Sequence, residues 1–358
     1  LGWAGLGWAG LGWAGLGWAG LGWAGLGWAG LGWAGLGWAD STMATDDFFG
    51  DFVMLNGQGA QHRDGPSRND PAPSRYALRI GELDVAVIGE DALPLPITTV
   101  AINTPAADPA TRMNGMSLLS DAFDWPLNVA VVRSGSRNIL IDAGLGAALP
   151  GFPPAGRLHA RLGAAGVDIA SVTDVIITHL HMDHIGGLLA EGVKNRLRPD
   201  VRIHVSATEI EFWQAPDFFH APMSSPVPDV HRSAANRFVN DYLGQLRMFD
   251  DEYEVALGVV VSRTGGHTPG HCVVRLASAG DRMTFAGDAI LPFGFEHPER
   301  QYGIEHDPEE SVRIRVRLLQ ELAASGELLM ATHLPLPSIG TVTVHGDAFR
   351  WIPIRNDV

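Results

Sequence analysis

Seven residues constrain this chain more than any others: Thr178-His179-Leu180-His181-Met182-Asp183-His184, directly after the apolar run Val175-Ile176-Ile177. Three imidazoles and a carboxylate within six residues call for a cation, because packing them without one carries a heavy desolvation cost. The β-branched run before them reads as a buried strand. The cluster then falls on the loop at that strand's C-terminal end, with Ile185-Gly186-Gly187-Leu188 opening the next helix. In α/β sheets, sites are usually built at that end of a strand. Neutral imidazole with carboxylate suits Zn²⁺ or a similar first-row metal. A lone histidine here would be ordinary core or surface; this grouping is not.

Residues 1–40 stand apart: seven copies of Leu-Gly-Trp-Ala-Gly and an eighth ending in Asp40, holding eight of the eleven tryptophans. A five-residue period fits neither the 3.6 repeat of a helix nor the 2 of a strand. The run is uncharged for 39 residues, which hydropathy alone would read as a membrane span. Two glycines in every five weaken that reading, since each interior Gly costs about 1 kcal/mol of helix against Ala. No basic n-region or usual cleavage site supports a secretory signal. Met43-Ala44-Thr45-Asp46-Asp47 reads as a natural chain start. Residues 1–42 are therefore expected to be an inert low-complexity extension, disordered or absent from the mature protein, with no membrane partner.

Residues 43–75, rich in Asp, Gly, Pro, Asn and Arg, read as an N-terminal arm, and 76–358 as one α/β domain. A net charge of −15 without a basic run argues against a nucleic-acid partner. The single cysteine, Cys272, excludes an internal disulfide and a Cys-rich metal site. The compartment, cytoplasmic or periplasmic, stays open for a chain expected to be soluble.

Tyr76–Ile80 and Leu83–Ile88 flank Gly81-Glu82 as a hairpin. The stretch from Asp91 to Asp124, with four prolines, reads as a long functional loop. Leu127–Val132 and Asn138–Ile141 pair next, and a short helix covers Arg157–Leu162. Ser206-Ala207-Thr208-Glu209 has the form of a capping box after the strand Arg202–Val205. A helix is expected from Arg232 to Phe249, strands at Val259–Ser262, Cys272–Arg275 and Met283–Phe285, and a last core strand at Leu328–Met330. Asp307-Pro308 is a strong helix start, with Asp as N-cap and Pro at N1. Two strand-rich halves, each with helices, imply layered αββα packing.

Three further segments carry potential ligands just after strands: Gly266-His267-Thr268-Pro269-Gly270-His271, Gly287-Asp288-Ala289 and Ala331-Thr332-His333. Each alone is weak. Together with the first cluster and Asp142-Ala143-Gly144, they resemble the metallo-β-lactamase-fold hydrolases, in the order that family uses them. The resemblance runs from about Leu83 to the C-terminus. It implies an α/β fold, the four-layer αββα metallo-β-lactamase-like sandwich. It also implies two Zn²⁺ ions, or another first-row divalent metal, per subunit. His179, His181 and His271 would bind one and Asp183, His184 and His333 the other, with Asp288 bridging and Asp183 and Asp288 the catalytic carboxylates. Asp142 and His267 would support the ligands from behind, and Cys272 would be a packed thiol.

A narrower resemblance is to the methyl parathion hydrolase branch, carried by Pro292–Pro298, by Ala331-Thr332-His333-Leu334-Pro335-Leu336-Pro337 and by the Phe349–Pro353 tail. It implies a homodimer. The insert between Leu95 and Trp125 departs from that pattern. The family's chemistry is hydrolysis by a metal-bridging hydroxide, the water's pKa falling from 15.7 toward about 7 between two cations. Phe123, Trp125, Phe218, Phe219, Phe293 and Phe295 lie on loops near the motifs. As pocket walls they would favour a small, neutral, xenobiotic-like substrate: an organophosphate triester, aryl ester or lactone. The same hydroxide could displace halide from an electron-poor aromatic ring, as a hydrolytic dehalogenase does. A sulfur dioxygenase-like enzyme with one iron is a further alternative. Trp213 reads as core, and His220, His231 and His297 read as surface residues without a ligand role.

Overall fold

The apolar residues sort into three buried layers, and those layers define the architecture. The computed structural model describes residues 75–96, 118–119, 122–146, 158–218, 221–223 and 227–354, all within the unit Thr45–Val358. The repeat, the arm and the expected pocket residue Phe219 lie outside the described residues, as does the side chain of Phe123.

The first sheet contains β1 (Arg75–Ile80), β2 (Leu83–Pro96), β4 (Ala122–Ser134), β5 (Arg137–Ile141), β6 (Asp174–Ile176), β7 (Arg202–Ser206) and β8 (Leu246–Phe249) in that order, with β3 (Leu118–Leu119) beside β4. The second runs β15 (Ala348–Pro353), β14 (Ile339–His345), β13 (Leu328–Met330), β12 (Asp281–Phe285), β11 (Cys272–Ser278), β10 (Val259–Arg263) and β9 (Glu252–Ala256). Side chains alternate along each strand, so one face of each sheet meets the other sheet. Ile139 and Ile141 on β5 join Val261, Val274 and Phe285 in the middle layer.

Leu140 points the other way, into a layer with Leu162 of α1 (Leu158–Ala164), Leu188 of α2 (Met182–Leu189) and Phe238 of α5 (Val227–Tyr242). The short α3 (Val193–Arg196) and α4 (Ala207–Gln214) complete that helical side. On the far side, Val273 and Leu329 pack with Ile314, Leu318 and Leu322 of α6 (Pro308–Ser325). Helix, sheet, sheet, helix: the αββα expectation is met.

β5 to β8 are mutually parallel, as are β12 and β13. Parallel strands send their C-terminal ends the same way, so the residues after β5, β6, β12 and β13 gather at one end of the molecule. The loop before β11 arrives there because β11 runs antiparallel to β12.

Several local expectations are corrected. The loop from Asp91 is partly strand: β2 continues to Pro96 against β4, with a bulge between Gly89 and Asp91. Beyond Ile88, β4 is its only described neighbour, and an edge without a second partner tolerates the missing N–H of Pro94 and Pro96. The helix expected to reach Phe249 ends at Tyr242, whose hydroxyl bonds Leu188 O at 2.7 Å. Leu246 and Phe249 are spaced like helix neighbours, yet they are the two buried residues of edge strand β8. A short apolar run does not distinguish the two. β9, with its mostly exposed Glu252–Ala256, pairs with β10 and carries little apolar signal of its own. Helix α6 starts as expected, with Asp307 accepting Glu310 N–H at 2.9 Å.

Candidate metal centre

Asp142 follows β5 in a left-handed conformation (φ 57°) that Asp tolerates better than most residues. Its Oδ1 accepts Thr178 N–H at 2.8 Å; its Oδ2 accepts the Thr178 hydroxyl and His184 Nδ1–H, each at 2.8 Å. Gly144 (φ 66°) closes the turn, and a Cβ there would collide with the Glu90 carboxylate. Glu90 is buried and accepts the N–H groups of Leu145, Gly146 and Leu158 at 2.7, 3.2 and 3.2 Å.

These bonds choose imidazole tautomers. Since the Thr178 hydroxyl gives its proton to Asp142, His179 Nδ1–H donates to Thr178 Oγ1 at 3.1 Å. His333 Nδ1–H donates to Pro126 O and His271 Nδ1–H to Thr264 Oγ1, both at 2.7 Å. A neutral ring that donates through Nδ1 presents a bare lone pair at Nε2. Burial, reinforced by neighbouring imidazoles, holds His179, His181 and His267 well below the usual histidine range, and burial takes His271 down to about 3. Metal ligands must be deprotonated in this way.

The lone pairs converge. Ligand atoms of His179, His181, His267 and Asp288 lie within 4.8 Å of one another, as do those of Asp183, His184 and His333. Asp288 faces both groups. Its Oδ2 is 3.2 Å from His267 Nε2 and 3.9 Å from His179 Nε2; its Oδ1 is 3.3 Å from His184 Nε2 and 3.1 Å from His333 Nε2. Burial works to raise the Asp288 pKa, but the imidazoles of His333, His184 and His267 outweigh it and hold the carboxyl far below its ordinary value. The Nε2 atoms of His179, His181 and His184 and Asp288 Oδ1 are buried with no hydrogen-bond partner. Buried polar atoms are rarely left so. Burial works to lower the His184 pKa, but the carboxylates of Asp288, Asp183 and Asp142 outweigh it and hold the ring above the usual histidine range, with a proton that a divalent cation would displace. Orphaned buried ring nitrogens and a shared carboxylate fit a pair of divalent cations.

One placement differs from the expectation. His271 Nε2 stands outside both groups and accepts Asp288 N–H at 3.1 Å. His267 instead brings Nε2 to 3.0 Å from His181 Nδ1. His271 is tied at its other nitrogen to Thr264, while the loop before it swings His267 inward.

Among the described residues, the candidate aromatics do not form an open ring. Trp125 is buried with its ring 4.4 Å from that of His333, and so backs a ligand. Phe293 and Phe295 are buried in the outer core, where Phe295 stacks on Trp351. Phe218 packs on Phe212 and Trp213 under Arg232. His231, expected at the surface, is buried against His181. Burial of apolar area accounts for these phenyl and indole rings.

Two residues, Glu209 and Asn128, organise the ligand loops from outside the motifs. Glu209 lies fully buried, and its Oε1 accepts Leu180 N–H (2.9 Å) and Trp213 Nε1–H (2.8 Å). Its Oε2 accepts the Thr268 hydroxyl (2.7 Å) and Gly270 N–H (2.9 Å). It thus binds the His179–His181 loop to the His267–His271 loop, and Gly270 is needed because a Cβ would strike the Glu209 backbone. The capping box is not made: Ser206 forms no side-chain cap bond. Asn128 Nδ2 donates to Thr332 O and Leu334 O, both at 2.8 Å, clamping the turn that carries His333. An amide inside an apolar strand was its signal.

Asp142→Ala should weaken zinc binding by about 10- to 100-fold, as loss of a carboxylate behind a ligating His does. Competition with a chromophoric chelator measures it, and unchanged affinity would remove Asp142 from this role.

The fold and the paired ligand groups together define an αββα protein with a His/Asp metal-binding centre. The metallo-beta-lactamase superfamily model matches residues 123–333, so the chain belongs to that superfamily and is in class a metal-dependent hydrolase. Among solved structures it is similar to AidC, a dizinc quorum-quenching lactonase solved with a product. Identity is 22%, covering 80% of this chain and 99% of AidC, with a TM-score of 0.73. It is also similar to the hydrolase AbOPH of the beta lactamase superfamily (23%, 81% and 100%, 0.68) and to a quorum-quenching N-acyl homoserine lactone lactonase (18%, 74% and 100%, 0.52). No curated protein sequence matches the chain. Among the described residues, no helix is long and apolar enough to cross a membrane.

Proposed function

We propose that this protein is a dinuclear zinc hydrolase of small neutral esters, with lactones and aryl esters ahead of phosphotriesters. The observation that carries the reading is Asp288, one buried carboxylate presenting a separate oxygen to each of two histidine groups. One cation would be held by His179, His181, Asp288 and an imidazole of the 266–271 loop. His267 is the nearest there, and His271 is the residue named by the family resemblance. The other would be held by Asp183, His184, His333 and Asp288. When bound, such a pair supplies Lewis acidity and brings the pKa of a shared water from 15.7 toward about 7.

The residues themselves do the orienting. Asp142 and Thr178 aim His184 and His179, Pro126 O aims His333, and Glu209 keeps the two loops in register. Asp183 is the ligand with appreciable exposure, at 14% of its side chain, against 2% or less for the others. It marks the side from which substrate would enter; with Oδ2 turned toward His184 and His333, its other oxygen would be the one free to carry a proton to the leaving oxygen.

Trp125, Phe293 and Phe295 are buried, so these three rings do not favour an aromatic substrate, and the dehalogenase alternative is separated from ester hydrolysis by the product released. Two ligand groups disfavour a one-iron dioxygenase. Metal analysis with a screen of lactones, aryl esters, phosphotriesters and halogenated nitriles tests the reading. The expected result is about two zinc ions per chain and released acid or alcohol; full activity after exhaustive chelation, or released halide alone, rejects it. Deleting residues 1–42 is expected to leave turnover within about twofold; loss of soluble activity would overturn that.

A further inference from the structure

His231 belongs to α5, an element that contributes none of the ligands. Its ring lies over that of His181, centroids 4.1 Å apart and planes inclined by 31°, and the residue is 4% exposed. Its Nδ1 accepts Met182 N–H at 3.2 Å, within the ligand loop itself. A ring nitrogen that accepts carries no proton, so the neutral imidazole holds its proton on Nε2. Among the described residues that Nε2–H meets no acceptor. Unlike the Nε2 atoms of His179, His181 and His184, it is not sealed from water, so a molecule bound at the metal centre can take the place of water as its acceptor. Nothing about packing against His181 requires a polar ring here; a Phe would fill the same space and leave only Met182 N–H unserved.

We propose that His231 is a substrate-contacting residue, its Nε2–H donating a hydrogen bond to an oxygen of the molecule bound at the metal centre. The inference rests on the hydrolase reading and adds to it a preference: substrates and products with an oxygen beside the scissile bond, such as a carboxylate or a ring ester, gain a contact that halogenated arenes lack. The Nδ1 bond to Met182 holds the ring in the tautomer that makes this donation.

The two nitrogens can be tested separately, because the Gln amide nitrogen reaches the position of His Nε2 whereas the Asn amide reaches that of Nδ1. Benzoate serves as an oxyanion probe on the zinc-loaded full chain, with affinity read by titration calorimetry and zinc content by elemental analysis. His231→Ala and His231→Asn should each weaken benzoate about 10-fold or more, the loss expected for a hydrogen bond to a charged group. His231→Gln should bind within about twofold of the unaltered protein, all variants keeping their zinc. Equal affinity in all four proteins, rescue by Asn instead of Gln, zinc loss in the variants, or no benzoate binding by the unaltered protein would each overturn the proposal. Rescue by Asn would make His231 a positioning residue acting through Met182. The ester and lactone screen judges the hydrolase reading independently, since benzoate binding needs no turnover.

Discussion

Asp288→Ala should lower kcat/KM by about 10³-fold or more while the αββα fold is retained, a loss of roughly 4 kcal/mol or more of transition-state stabilisation. The size follows from geometry. Both oxygens of this carboxylate are in use, one toward His179 and His267 and one toward His184 and His333. Removing it leaves each group a ligand short and removes the anion that balances the site. Zinc per chain should fall together with turnover. Circular dichroism should change little, because Asp288 sits on a turn after β12 and not within a packed layer. His179→Ala should act similarly through the first group. Near-normal rates with full zinc in either variant would refute the site.

Glu209→Ala should be the most damaging substitution among residues that touch no cation. Four donors lose their acceptor at once, in a location closed to bulk water. An orphaned buried donor costs about 1–3 kcal/mol. Even with partial rehydration the total should reach at least about 3 kcal/mol, or a fall in Tm of about 6–12 °C for a domain of this size. Glu209→Gln is instructive because it keeps the volume and turns one acceptor oxygen into an NH2 group facing two donors. Calorimetry should show a large destabilisation for both variants, with kcat/KM lowered at least about tenfold as the loops shift by fractions of an ångström. A Gln variant as stable and active as the parent would mean that Glu209 fills space only. Burial pushes the Glu209 pKa up against the pull of its four hydrogen bonds.

Ligand types and their order along the chain were legible because they are local. His179 to His184 follow a β-branched strand, and Asp288 and His333 follow two more. Metal chemistry demands those side chains whatever packs around them. The four layers were legible because alternation and helical spacing are written residue by residue, as in Ile139, Leu140 and Ile141 facing opposite cores. Where two patterns share a spacing, as at Leu246 and Phe249, local reading chose wrongly.

The partners that aim the ligands were not legible. Glu209 looked like a helix cap, since Ser-x-x-Glu before an apolar run has that form, and only the arrival of Leu180 and Gly270 from elsewhere redirects it. Asn128 reaches across more than 200 residues to Thr332 and Leu334. The aromatic residues near the motifs were read by proximity in sequence, whereas burial is decided by which layers close over them.

The sequence by itself therefore determined the chemistry available to this protein: seven metal-grade side chains, no competing thiolate cluster, and an alternating apolar pattern that stacks into αββα. Only the tertiary structure decided how that chemistry is arranged. It brought Asp288 between two groups, turned His267 inward, buried the aromatics and laid His231 over His181. The physical reason is range. Coordination preference and periodicity belong to single residues and short windows, while the hydrogen bonds that choose a tautomer join segments that folding alone makes neighbours.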